Sequence, residues 1–582
     1  MCICPVGRPE EKLARCLGPY ENPISSYFKI PSPLSFFVTS SAAARTVIRG
    51  TGIVSALTLV SRLLGFIRDL LVARLFGAGF YADAFFVAFR LPNLLRSFVA
   101  EGALSSAFVP VFSGELAAGE ARARAAVRSV SALILALTLV LSIAGIIFAP
   151  QIVDLFAPGF DDDKRALCIV LTRVMLPFII CVSFVAMLNG ALNALRIFGA
   201  SAWAQVWMNG VLIAGAMVAG WYDARGAALC LAWSVVVGGV VQVLVQLPAM
   251  RRAGLSILPT GGLRTAVNGE IVRLMAPAIV GATVYQLTIF LNTILASLLE
   301  EGSVSWLFYA DRLTQLPVGI FSIALASVLL PTLARARAEG NYGEFSGSLI
   351  NSLRYTSFLI VPTAALIFIF AEPLIALMFE RGAFTPYATA KTALAVQALA
   401  LGLWSVSCHS MLVRAFLARK DTRTPTLIGI ATLVLTLLFS LLFMGPVRVA
   451  DGALAASIAT LSGLVQRCPL ALDLGHAGLG LAASLASLGT MLLTATTLSR
   501  RLPDLEWRPF IRASIQAMLA SGVMVGALLS GAVYLPPGAS YLTKLLIGLP
   551  AGAFIYLLST WVLKSTEWQE TVGLVRRFLV RR

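Results

Sequence analysis

The chain has 582 residues, of which 58% are hydrophobic and only 13% charged, whereas an ordinary soluble domain carries about 25% charged residues. That composition excludes a soluble fold and points to an all-α polytopic membrane protein. The charge is lopsided, 45 Lys+Arg against 28 Asp+Glu for a net +17, but the cations lie in short segments between apolar runs, so they read as topology signals and not as a nucleic-acid surface.

Residues 1–44 are polar, contain prolines and lack the apolar core of a signal peptide, so they are expected to be a disordered extension or a misassigned start. Beyond them, apolar runs centre near Leu64, Leu94, Leu139, Ile180, Val211, Val237, Ile289, Leu325, Leu366, Leu401, Leu435, Leu485, Met524 and Ala551, about fourteen spans of the roughly 20 residues a bilayer requires. No strand-like alternation is visible, which excludes a porin-type barrel. Basic loops (Arg122, Arg124, Arg128; Arg251, Arg252, Arg264; Arg335, Arg337; Arg419, Lys420, Arg423; Arg500, Arg501, Arg508) alternate with loops poor in net positive charge (GAGFYA, PGFDDDKR, WYDARG, EEGSVS, LPPGAS). Both termini are therefore expected in the cytoplasm. Thr424 to Leu498 starts and ends at basic loops and must cross an even number of times, yet it offers apolar runs near Leu435, Ile458 and Leu485. One of the three is therefore not a full crossing, and the short Ala/Ser/Gly-rich run from Gly452 to Leu464 is the weakest of them. Its likeness to the run from Gly478 reads either as a local duplication or as two small-residue faces suited to close packing, with the second reading preferred.

A larger repeat is more informative. FRLPNLLRSFVAEGALSSAFVP (Phe89 to Pro110) resembles DRLTQLPVGIFSIALASVLLP (Asp311 to Pro331), and MLNGALNALR (Met187 to Arg196) resembles MLVRAFLAR (Met411 to Arg419), all at offsets of 221 to 224. Six spans separate the copies, an even number, so the halves are expected to be parallel repeats about an axis along the membrane normal. This gives two six-helix lobes, 45–255 and 265–500, then two extra transmembrane helices within 508–564 and a basic cytoplasmic tail, 565–582.

The first two spans carry charges at costly depth: Arg62, Arg68, Asp69 and Arg74, then Asp83, Arg90, Arg96 and Glu101. Such groups usually face a cavity. Arg62 lies about nine residues, or roughly 14 Å, into its span, near the midplane. Arg62 and Asp69 are seven apart and share a helix face, as do Asp83 and Arg90, so each acid is expected to neutralise an arginine in part. The second lobe adds Asp311 and Arg312. The arginine excess predicts a net-positive cavity, and because arginine forks onto phosphate oxygens, an anionic, phosphate-bearing substrate. Enzyme chemistry fits poorly. His409 and His476 are isolated, Asp161, Asp162 and Asp163 read as a solvated turn, and no P-loop occurs. Of the eight cysteines, Cys168, Cys181, Cys230 and Cys408 fall in apolar runs and read as packing, while Cys2 and Cys4 lie in the N-terminal stretch. No metal or cofactor is expected, and a secondary carrier or flippase remains.

Five segments carry a family resemblance: SRLLGFIRDLLVARLFGAG from Ser61, DAFFVAFRLPNLLRSFVAEGALSSAFVPVF from Asp83, LFAPGF from Leu155, APAIVG from Ala276 and GSVSWLFYADRL from Gly302. Together they closely resemble the MurJ (MviN) lipid II flippases of the multidrug/oligosaccharidyl-lipid/polysaccharide exporter superfamily. The resemblance implies a fourteen-helix fold working by alternating access in the bacterial inner membrane, with the last two helices forming a groove for a polyprenyl tail. The implied substrate is the undecaprenyl-diphosphate-linked disaccharide-peptide, and cell-wall synthesis machinery is a possible partner. Carried over by position, the substrate-binding arginines are Arg62, Arg68, Arg96 and Arg312, with Asp69, Asp83, Glu101 and Asp311 as cavity acids and Arg90 as a secondary candidate. Arg68, Arg96 and Arg312 would clamp the diphosphate. The chain departs from the family in its first 44 residues, in a long Val447–Asp473 region and at Gln315, where some relatives carry an acid. Rival readings are another lipid-linked oligosaccharide flippase, a drug/cation antiporter, which would require a more acidic cavity, and a transport-inactive cell-wall scaffold.

Overall fold

The structure, a computed structural model, describes residues 42–96, 104–447, 453–502, 505–532 and 539–580. Contacts divide the chain into Met1–Ala56 and a compact unit, Leu57–Arg582. Among the described residues every regular element is helical, and the one β feature is an isolated bridge between Met444 and Asp473. A helix satisfies its own backbone polar groups, which a bilayer core cannot do for it.

The first half comprises α1 (Ala42–Phe76), α2 (Phe80–Arg96), α3 (Leu104–Ala117), α4 (Glu120–Ile147), the short α5 (Ala149–Phe156), α6 (Asp162–Met175), α7 (Phe178–Ala194), α8 (Phe198–Ala219) and α9 (Ala224–Arg252). The second comprises α10 (Ala266–Ser297), α11 (Ser303–Pro317), a π-helical turn at Val318–Ser322, α12 (Ile323–Ala338), α13 (Tyr342–Ile369), the short α14 (Ala371–Phe379), α15 (Pro386–Ala400), α16 (Leu403–Ala418), α17 (Arg423–Phe443), α18 (Ala453–Val465) and α19 (Gly475–Arg501). Last come α20 (Arg508–Ala532), α21 (Tyr541–Val562) and α22 (Thr566–Val580). Side-chain caps close several N-termini, as where Asp223 accepts from the Gly226 amide, Thr265 from Asn268 and Thr385 from Ala388.

Ten helical segments among the described residues are long and apolar enough to cross a membrane, and the pair α15–α16, bent by 42°, makes an eleventh. The charged α1, the interrupted α2–α3 and the long α10 fall where the remaining three spans are expected, consistent with fourteen. The chain is a multi-pass membrane protein. At 13 residues, α18 is about 20 Å long, too short to cross alone, whereas the runs on either side of it, α17 and α19, are long enough to cross. The repeated segments also match in form. Pro110 lies inside α3 and Pro331 inside α12.

The first-half helices pack chiefly on one another, as do α11 to α19, while α20 lies on α13 and α21 on α14 and α20. Between the halves, α2 packs on α11 and α10 packs on α3. The Phe86 and Phe308 rings stack there at 3.8 Å between centroids, and Tyr309 lies edge-on to Phe86.

Candidate functional site

Where α1 faces α11, the charges foreseen in the sequence meet. Arg68 donates from Nε (3.0 Å) and Nη2 (2.8 Å) to Oδ1 of Asp69, and Oδ2 of the same carboxylate lies 3.3 Å from Nε of Arg312 in the other half. Asp69 thus joins one arginine from each half. Its side chain is 10% exposed and that of Arg68 17%, while Arg312 remains 37% exposed, so the pair is sheltered but open on the Arg312 side. Asn209 on α8 fixes Arg68 further, accepting from its Nη1 at 3.2 Å while its own Nδ2 donates to the Ser61 carbonyl at 3.0 Å. The Arg312 guanidinium lies over the Phe308 ring, 4.9 Å from its centroid, a cation–π contact that orients the fork.

A second group adjoins the first. Arg90 donates to the Thr293 hydroxyl on α10, and the charges of Arg90 and Arg312 both act on Asp311, which also accepts from Gln315. Asp311 is exposed, so water reaches this part of the seam. Arg62 stands about 9 Å along α1 from Arg68, is exposed, and directs Nη1 at the π-helical turn, 2.8 Å from where a Cβ on Gly319 would sit. Four arginines against two carboxylates leave this seam net positive.

The pairing differs from the expected one. Asp69 binds Arg68 and Arg312, not Arg62, because seven helical residues separate groups by about 10 Å along the axis. Asp83 does not pair with Arg90. It is buried at the start of α11, where Oδ2 accepts from the Gly302 amide (2.8 Å) and Oδ1 from the Ser305 amide (2.9 Å) and hydroxyl (2.5 Å), with Lys164 at 3.7 Å. A carboxylate at a helix N-terminus satisfies orphan amides and the positive end of the helix dipole. Lys164 also binds Glu301 at 3.2 Å, and Glu301 accepts from the Phe80 amide at 3.1 Å. Arg74 is exposed, and its carbonyl accepts from the Ala383 amide at 2.9 Å. Gly77 (φ 62°) and Gly382 (φ 64°) stand at this junction, and a Cβ on Gly382 would lie 2.5 Å from the Arg74 carbonyl. These contacts close the end of the seam that carries the charge-poor loops.

The side chain of Arg96, at the end of α2, lies outside the described residues, as does Glu101. Asn209, Thr293 and Phe308 were not foreseen; each is an uncharged residue in an apolar run, and their signal was a polar or aromatic group spaced to face a charge. No group of three His, Cys, Asp or Glu among the described residues is placed to hold a metal. His409 bonds Thr494, and His476 bonds the Lys391 carbonyl beside the Trp306 ring. Cys168 and Cys408 are buried, Cys181 and Cys230 partly so, while Cys468 is exposed.

A family model described as the lipid II flippase MurJ matches residues 72–468, a stretch that includes Arg90 and Arg312 and begins just after Asp69. The chain is 37% identical over 398 residues to the lipid II flippase MurJ of Burkholderia cenocepacia, covering 67% of this chain and 77% of that one. It is 40% identical over 416 residues to a probable lipid II flippase MurJ of Rhizobium meliloti, covering 70% and 76%. In fold it is similar to a solved lipid II flippase MurJ in an inward closed conformation (TM-score 0.70, 23% identity, 88% of this chain and 99% of that one). It is also similar to an inward-facing multidrug resistance MATE transporter (TM-score 0.60, 17% identity, 78% and 98%).

Proposed function

Because the chain belongs to the lipid II flippase MurJ family, we propose that it carries lipid II from the cytoplasmic to the outer leaflet of the bacterial inner membrane by alternating access, supplying cell-wall synthesis. Both termini and the basic loops lie in the cytoplasm, so the closed end of the seam is the outer one. The headgroup enters from the basic side while the undecaprenyl chain stays in lipid along α20 and α21. Partnership with the cell-wall synthesis machinery follows from the product's destination.

The observation that carries this reading is the Arg68–Asp69–Arg312 bridge between the halves. Asp69 occupies the place of a substrate anion. A diphosphate entering the seam competes with that carboxylate for both arginine forks, and bidentate phosphate contacts are among the stronger charge-assisted bonds. Arg96 and Arg62 complete the clamp, Arg90 and Asp311 tune its charge, and Asp83 serves the outer closure. With substrate bound, the arginines of the two halves hold one anion between them; once it leaves, Asp69 re-forms the bridge and the empty carrier can return. Outward movement of an anion from an inside-negative compartment gains about 2.3 kcal/mol per charge per 100 mV, so no ATP is required.

Depletion of the protein in its host should make lipid II accumulate in the inner leaflet, and the unaltered chain should reverse this. Arg68→Ala and Arg312→Ala should each fail to restore growth at normal protein levels. Full restoration by both would remove the diphosphate clamp.

A further inference from the structure

The inserted helix α18 and the segment after it have no role in the clamp or the outer closure. Ala453–Val465 contains no charged residue, and between Ala453 and Leu474 the charges are Arg467 and Asp473, the latter bridged to Met444 at the end of α17. One face of α18, formed by Ala455, Ile458, Ser462 and Val465, is turned inward. The other presents Leu454, Leu461 (51% exposed) and Leu464, and the following segment presents Leu470 (71%), Leu472 and Leu474. Six exposed leucines in about twenty residues make an apolar surface that water does not tolerate without a partner.

Hydrogen bonds fix the height of this surface. Ser462 donates to the Gly445 carbonyl at 3.1 Å and Gln466 Nε2 to the Leu441 carbonyl at 3.1 Å. The amides of Leu472 and Leu474 donate to the carbonyls of Leu442 (3.0 Å) and Phe443 (3.1 Å). Three of the four tie points lie in the last turn of α17, and the fourth, Gly445, lies two residues past its end. That helix has 21 residues and is about 31 Å long, the thickness of one hydrocarbon core. Its last turn therefore lies at the edge of the core remote from the basic loops. The apolar surface of α17, with Leu437 and Leu438 exposed, continues into the leucines of α18.

We propose that α18 and the Leu470–Leu474 segment form a membrane-seated shelf, with the leucines in the acyl chains of the leaflet remote from the basic loops and Arg467 reaching its phosphates. Leaving six leucines in water forgoes the favourable transfer of each into lipid, and a long aliphatic stem lets an arginine at such an edge snorkel to the headgroups. The shelf would give the second half a foothold in the leaflet that receives the substrate, beyond what its membrane-crossing helices provide.

The test uses the full chain in phosphatidylethanolamine/phosphatidylglycerol vesicles, with Leu461→Trp and Leu470→Trp made separately and the emission of the unsubstituted protein subtracted. Lipids brominated on the acyl chain should quench most of the added emission at both positions, as they should for a Leu438→Trp control on α17, while aqueous iodide quenches little. Quenching by iodide in place of brominated lipid would overturn the shelf, and so would protection from both, which would mean a protein surface covers it. If a tryptophan disturbs folding, a nitroxide on the exposed native Cys468 gives the same discrimination through its collisions with oxygen or with a nickel chelate. None of these readouts depends on transport, so the shelf can fail while the flippase reading stands.

Discussion

Asp69 holds Arg68 at 2.8 Å and Arg312 at 3.3 Å, and its neutralisation separates two effects. In Asp69→Asn both forks are freed for the diphosphate, so lipid II should bind about tenfold more tightly, the equivalent of one charge-assisted hydrogen bond. Turnover should fall all the same, because the empty carrier loses the anion that bridges its halves on the return. Weaker binding with unchanged turnover, measured with purified protein, would show that Asp69 is not a stand-in for the substrate. Arg312→Lys keeps the charge but loses the planar fork and its seat on Phe308, so it should recover only a fraction of the activity that Arg312→Ala loses. At the closed end, Asp83→Ala leaves the Gly302 and Ser305 amides without their acceptor and Lys164 without one of its two acids. Cysteines placed in the Glu300–Gly302 loop should then react with an impermeant outside reagent several-fold faster than in the unaltered chain.

Two elements outside the site are held by ion pairs whose loss can be read directly. The terminal helix α22 is tied to α13 by Arg354, which lies 2.6 Å from Glu567 with both side chains sheltered, and by the Tyr355 hydroxyl, which donates to Glu570 at 2.5 Å. Arg354→Ala leaves Glu567 buried without its cation, a change that typically costs about 3–5 kcal/mol. It should release α22 to limited proteolysis, while Glu339→Ala, which removes an exposed pair with Arg335, should not. At the start of α17, Asp421 accepts from the Thr424 amide (3.0 Å) and hydroxyl (2.7 Å) and from Arg501 on α19. Partial burial opposes its charge, but these bonds outweigh it and hold the carboxyl below the usual carboxylate range. The folded form therefore binds its proton less readily than the unfolded chain. The stabilisation is fully present above about pH 4 and is lost as pH falls through the lowered value. Between pH 5 and 8 the difference in melting temperature between the unaltered chain and Asp421→Asn should stay constant, and it should shrink below pH 4.

For the molecule as a whole, the all-helical, multi-pass class was legible because it depends on local composition; loop parity asks that one of three runs between Thr424 and Leu498 not cross, and α18, at 13 residues, is the short one. The repeat was legible because two segments kept their offset. The arginine seam was legible as an inventory, since charge inside an apolar run is conspicuous, but its wiring was not. Helical spacing suggested partners seven residues away in the same span, whereas Asp69 took its neighbour Arg68 together with Arg312 across the halves, and Asp83 took Lys164 and the start of α11, at distances along the chain that no local pattern encodes. Asn209 and Thr293 were missed for the same reason: a single uncharged polar residue in an apolar helix looks like any other until the helix opposite is known. The central claim is that arginines from both halves hold the diphosphate while the halves alternate. It is tested most directly with purified protein in vesicles containing headgroup-labelled lipid II on one leaflet, by following the label's arrival at the opposite face with an impermeant quencher under an imposed membrane potential. The unaltered chain should move the label, and Arg68→Ala and Arg312→Ala should each be at least about tenfold slower, the loss expected for one charge-assisted bond. Equal rates for all three, with the label moving, would contradict the claim.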